Sequence, residues 1–209
     1  MSQVMDNTVQ LLFFVLVIIP SAILHEWAHG FAADKLGDPT PRLAGRLTIN
    51  PIPHIDPWGT LLLPFLLFFL TSGSFLFAYA KPVPFNPLAL RWRRYGAAAV
   101  GAAGPLANLV VAFGLGLIVR FMDVSAFTVF LSIVVYANVL LAVFNLVPIP
   151  PLDGHHVLFS FLPDRFYAFK VWLQRYGFFI LIVFLLFLFD WLQPVMGWLF
   201  RAATGQFGF

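Results

Sequence analysis

Two histidines four residues apart bracket the only glutamate of the chain in the run His25-Glu26-Trp27-Ala28-His29. On a helix, positions i and i+4 share one face, so both imidazoles can reach a single Zn²⁺. The residue after the first histidine can then serve as general base toward a water that the metal polarises. The chemistry that this spacing supports is zinc-dependent hydrolysis.

A catalytic zinc takes three protein ligands and keeps one position open. A second glutamate does not exist, and the extended pattern with a third histidine fails, because Ala32 stands where its glycine belongs and Lys35 where its histidine belongs. The candidates are therefore His54, His155, His156 or one of the aspartates. Asp153 is favoured. It closes the run Asn145-Leu146-Val147-Pro148-Ile149-Pro150-Pro151-Leu152-Asp153, in which the prolines must end the preceding apolar helix. An aspartate in such a break is costly at membrane depth unless it is paired or metal-bound, and Gly154 beside it permits close backbone approach. The competing reading of Asp153 is a plain N-cap for the next helix.

The elements that must hold these groups belong to a membrane protein. The sequence is 61% hydrophobic and 10% charged, with a mean hydropathy of +0.90, against about 25% charged residues in an average soluble domain. No cysteine is present, which excludes a disulfide framework and a thiolate zinc site. The net charge of +3 comes from residues scattered at segment ends, read as cytoplasmic-side anchors rather than a nucleic-acid surface. A single integral-membrane unit, residues 1–209, is expected. The first apolar stretch carries the histidine pair and so reads as retained rather than as a cleaved signal peptide. Asp6 before it and Lys35, Arg42 and Arg46 after it favour an outside N-terminus and an inside loop.

Apolar stretches of the ~20 residues a span requires run over Thr8–Ala33, Thr60–Ala80, Tyr95–Arg120 and Phe127–Val147. A fifth, Tyr176–Phe200, is broken by Asp190, Gln193 and Pro194, and Asp153–Arg175 before it reads as an interfacial helix or loop. Basic loops flank 60–80 on both sides, so this stretch either spans or re-enters by turning near Thr71–Ser74. The expected fold is an all-α polytopic membrane protein with four to six transmembrane or re-entrant segments. A short β-like loop near the site completes it, Gly45–Asn50, on which an unwound substrate could lie as an added strand.

Five strings together resemble the site-2 protease family of intramembrane zinc metalloproteases, peptidase M50, in its small prokaryotic branch without PDZ or CBS domains. They are HEWAHG at His25–Gly30, GRLTINPIPHIDPWGT at Gly45–Thr60, KPVPFNP at Lys81–Pro87, AGPLAN at Ala103–Asn108 and FNLVPIPPLDG at Phe144–Gly154. The resemblance covers about Leu11 to Tyr176. It implies His25, His29 and Asp153 as ligands of one Zn²⁺, Glu26 as the base, and Asn145 as a residue that contacts the substrate or stabilises the scissile carbonyl. It further implies cleavage of transmembrane-helix protein substrates in or near the bilayer of a prokaryotic cell membrane. Many members read LDGG where this chain has Gly154-His155-His156, so the two histidines either tune the site or begin the next helix.

Other polar residues divide by position. His54, in a proline-rich loop, reads as a histidine bonded to nearby backbone, and Asn50 or Asp56 as a partner that orients a zinc-bound imidazole. Asn108 and Asn138 read as interhelical hydrogen-bonding amides, and Gly96, Gly101 and Gly104 as a small-residue packing face. Trp27 is expected to pack away from the metal. Two rivals are a metal transporter, which would spread polar groups along several helices, and a catalytically silent scaffold of the same fold, which would not need Glu26.

Overall fold

An apolar helix that must cross lipid satisfies its backbone internally, and long helices dominate the computed structural model. It describes residues 2–70 and 80–206; for 2–15, 61, 63, 64, 67, 68 and 93 the backbone path alone is described. The chain runs through α1 (Ser2–Lys35), α2 (Thr40–Leu43), α3 (Leu63–Leu70), α4 (Arg93–Phe121), α5 (Ala126–Asn145), α6 (Gly154–Phe161), α7 (Tyr167–Phe187) and α8 (Gln193–Thr204). Four stretches are long and apolar enough to cross a membrane: Leu16–Lys35, Arg94–Phe121, Ala126–Asn145 and Asp164–Phe187.

Helix α4 is the hub, packing against α1, α5, α6 and α8. Its partner α5 starts at a reciprocal capping box between Ser125 and Thr128, which satisfies two donors that a helix start leaves unpaired. Ala112 of α4, Val135, Val139 and Val143 of α5, and Met196, Phe200 and Ala203 of α8 form one buried cluster. On α5, buried Asn138 interrupts this apolar row between Val135 and Val139.

The stretch 60–80, expected either to span or to re-enter, contains no helix of spanning length among the described residues. Pro57–Leu62 forms a π-type turn and α3 has eight residues, about 12 Å at 1.5 Å per residue, while the turn expected at 71–74 lies outside the described residues. The last span begins earlier than Tyr176, because Lys170 and Arg175 are carried on α7 beside exposed Trp172 and Tyr176. Long basic stems can snorkel from such a helix. After Phe187 the chain breaks into a 3₁₀ turn, Phe189–Leu192, and Pro194 opens α8 in the first turn, where a missing N–H costs nothing.

Among the described residues there is no strand, and 45–50 is turn and bend. Its backbone groups find local partners instead of a ladder. Gly45 has φ +66°, Arg46 N–H donates to the Pro41 carbonyl, Asn50 N–H donates to Thr48 Oγ1, and the Thr48 carbonyl accepts from His54 Nε2.

Candidate metal centre

The helical register of α1 puts His25 and His29 on the side that faces α4, both buried, with ring centroids 4.6 Å apart. Asp153 reaches them from the proline break after α5. It occupies the N-cap position of α6 yet makes no capping bond. Its Oδ2 lies 2.9 Å from His25 Nε2 and 3.1 Å from His29 Nε2. One donor atom from each of the three residues falls within 4.8 Å of the others.

The opposite ring nitrogens fix the tautomers. Asn108 Nδ2 donates to the Ser21 carbonyl and to Asn138 Oδ1, so the Asn108 atom 2.6 Å from His25 Nδ1 is its carbonyl oxygen. His25 Nδ1 therefore carries the hydrogen. His29 Nδ1, 2.7 Å from the Val100 carbonyl, must also donate. In the neutral rings both Nε2 atoms are then lone-pair acceptors aimed at a carboxylate. Acceptors facing one another across 3 Å are compatible only with a cation between them, a proton on Nε2 or a metal ion. The two-nitrogen, one-oxygen donor set, with each imidazole pinned from behind, fits Zn²⁺.

Helix α4 forms the wall of this centre. A Cβ added at Gly104 would stand 2.4 Å from His29 Nε2 and 2.7 Å from His25 Nε2, so only a glycine lets the helix approach the ligand atoms. Pro105, next in sequence, has no N–H for the helix ladder, and in the turn before it the Val100 carbonyl accepts from His29. Gly154 meets the expected close approach: a Cβ there would lie 2.2 Å from the Leu146 carbonyl oxygen.

Glu26 is half-buried beside the two histidines, and its Oε2 accepts the backbone N–H of Val83 at 2.8 Å. Trp27 stacks on Phe31 with centroids 5.0 Å apart. Asn145 ends α5, where its amide donates to the Leu141 carbonyl at 2.9 Å; no hydrogen bond among the described residues brings it to the histidines. His54 is buried and outside the cluster, its Nε2 bonded to the Thr48 carbonyl and its Nδ1 without a partner among the described residues. His155 donates to the Leu152 carbonyl, and its ring lies tilted against His156 with centroids 3.9 Å apart. Burial, reinforced by His155 alongside, lowers the His156 imidazole to about 4, and Phe85 meets that ring edge-on at 5.3 Å.

The orienting partners differ from those expected. Asn50 Oδ1 accepts from Ile52 N–H, and Asp56 caps the turn at Trp58 and Gly59. Orientation of the imidazoles falls instead to Asn108 and the Val100 carbonyl. Asn138 and Ser21 extend the Asn108 network, with Asn138 Nδ2 donating to Ser21 Oγ at 2.9 Å. The sequence signal lay in AGPLAN, which carries both the glycine and the amide.

Comparison with known proteins identifies the family. The profile of Peptidase family M50 matches residues 121–188, which include Asn145 and Asp153. Three relatives carry the designation "Putative zinc metalloprotease". YwhC of Bacillus subtilis is 37% identical over 181 residues, 82% of this chain and 78% of its own. Rip2 of Mycolicibacterium smegmatis is 35% identical over 83% of this chain and 67% of its own. Rip2 of Mycobacterium tuberculosis is 31% identical over 90% of this chain and 73% of its own. No solved structure matches. On the similarity to YwhC across most of both chains, the protein belongs to peptidase family M50.

Proposed function

We propose that the protein is an intramembrane zinc metalloprotease in which His25, His29 and Asp153 hold one Zn²⁺ and Glu26 is the general base. The observation that carries the reading is the convergence of two Nε2 lone pairs on a carboxylate oxygen, an arrangement that asks for a cation. Bound there, Zn²⁺ supplies Lewis acidity, bringing the pKa of a water toward about 7 and polarising the scissile carbonyl.

The chain's own groups do the rest. Glu26 takes the proton of the attacking water on Oε1, since Val83 N–H holds Oε2, and passes it to the leaving amine. Asn108 and the Val100 carbonyl keep both imidazoles in the tautomer that leaves Nε2 unprotonated. Asn145 spends one amide hydrogen on the Leu141 carbonyl and has a second for a substrate carbonyl. Packing between α1, α4 and α6 keeps bulk water from the histidines. The substrates are transmembrane helices of partner proteins, which must unwind locally to expose a peptide bond, in the cell membrane of a prokaryote.

The test is cleavage of a single-span helical substrate co-reconstituted with the protein in vesicles. Chelation is expected to stop product formation, Zn²⁺ to restore it, and Asp153→Ala to prevent the restoration. Cleavage that continues at full rate through complete removal of the metal would overturn the reading.

A further inference from the structure

The groups that touch the reacting atoms leave Asp38 unexplained, a charged residue with no exposed surface. It follows α1 by a tight turn: Gly37 has φ +103° and Asp38 N–H bonds back to the Ala33 carbonyl at 3.0 Å. Its carboxylate is thereby fixed to the same helix that carries Glu26. Oδ1 accepts from Thr40 N–H at 3.0 Å and from Thr40 Oγ1, while Oδ2 accepts from the backbone N–H of Asn86 at 2.5 Å. Burial would raise this carboxyl, but the bonds from Thr40 and Asn86 prevail and hold it below its ordinary range.

Asn86 ends a strap, residues 81–86, that reaches Glu26 beside the candidate metal centre. At its near end Lys81 N–H donates to the His54 carbonyl, and beyond its far end Arg91 N–H donates to the Leu36 carbonyl. Between Pro82 and Pro84, Val83 owns the only backbone N–H, because proline has none. That hydrogen goes to Glu26 Oε2. Flanking prolines fix φ at their own positions and restrict the residue before them, so the stretch from Val83 to Asn86 is stiff. A stiff strap clamped at Asn86 delivers the Val83 N–H to one place.

We propose that Asp38 is a positioning residue for the proteolytic reaction: by clamping Asn86 it aims the Val83 N–H at Glu26 and sets the orientation of the base. The proposal rests on Glu26 acting as the base. It assigns the LGDPT turn and the KPVPFNP strap one joint task, to leave Oε1 facing the water while Oε2 is held.

Asp38→Asn separates this role from a structural one. The amide oxygen keeps both Thr40 bonds, whereas the NH₂ replaces Oδ2 and faces the Asn86 N–H, donor against donor. Asp38→Ser is the second variant, since its hydroxyl can accept from Thr40 N–H but is too short for Asn86. In vesicles with a single-span substrate and saturating Zn²⁺, both variants are expected to lose about tenfold to a hundredfold in kcat, the range for a misplaced reacting group. KM and bound zinc should stay within about twofold of wild type, as expected when only transition-state positioning is lost. Thr40→Val, which leaves the Asn86 clamp in place, should keep the wild-type kcat. Wild-type kcat in both Asp38 variants would overturn the proposal. So would kcat falling only together with zinc content or with the fraction of folded protein in both, which makes Asp38 structural. Glu26→Gln is assayed alongside: wild-type turnover in that variant refutes the base assignment itself, a result distinct from either outcome at Asp38.

Discussion

Gly104→Ala is a one-carbon change that should disable the metal centre. The new Cβ would lie 2.4 Å from His29 Nε2, 2.7 Å from His29 Cε1 and 2.7 Å from His25 Nε2, about 1 Å inside ordinary contact. Relief is difficult in every direction. The imidazoles cannot swing away without breaking their Nδ1 bonds to Asn108 and the Val100 carbonyl. Helix α4 cannot retreat as a unit, because both of those partners ride on it and α5, α6 and α8 pack against it. Overpacking of this kind costs about 1–3 kcal/mol, and where the strain falls on the ligand atoms it appears in the metal affinity, at about tenfold per 1.4 kcal/mol. Zinc affinity is therefore expected to fall about 5-fold to 150-fold. The assay is zinc titration of detergent-purified protein against a competing chelator, with circular dichroism to confirm helicity. Wild-type zinc affinity in a helical Gly104→Ala protein would refute the placement of α4 against the ligands.

Three further outcomes follow from the same geometry. Asn108→Ala removes the acceptor behind His25 and strands Asn138 Oδ1. Zinc affinity should drop about 10-fold to 100-fold, with about 1–3 kcal/mol lost in stability from the unpaired groups, read by chelator competition and thermal melts. Zn²⁺ at 100 times its Kd should stabilise the folded protein by about 2.7 kcal/mol, and Asp153→Ala should remove that shift in a thermal scan. Val83→Pro deletes the N–H that holds Glu26 Oε2, so turnover should fall while zinc content measured by mass spectrometry is retained.

The site was legible where chemistry is local in sequence. The two histidines and Glu26 share one helix, and i/i+4 spacing alone puts the imidazoles on one face. Asp153 could be favoured because prolines forbid continuation of a helix and charge is costly in lipid. Both arguments use single-residue physics. The Asn108 pin lies 83 residues from the ring it orients, and the sequence carries no signal for which of several intramembrane amides faces which imidazole. Gly104 was rightly read as a close-packing position, but its neighbour is a pair of rings rather than another helix. The Val83–Glu26 bond was illegible because a backbone N–H leaves no mark on residue type, although the two prolines around it limit where it can point. The start of α7 was misplaced for a different reason. Lys170 and Arg175 look interfacial in a hydropathy reading, yet α7 carries both: Lys170 Nζ donates to the Phe159 carbonyl at 2.8 Å, and Arg175 is exposed, where a long stem can snorkel.

Cleavage of a co-reconstituted single-span substrate by wild type and by Glu26→Gln, with zinc content measured in the same samples, is the direct test. The account predicts loss of product in the variant with zinc still bound, because it assigns the metal to His25, His29 and Asp153 and the proton transfer to Glu26 alone. Equal product from both proteins would contradict it.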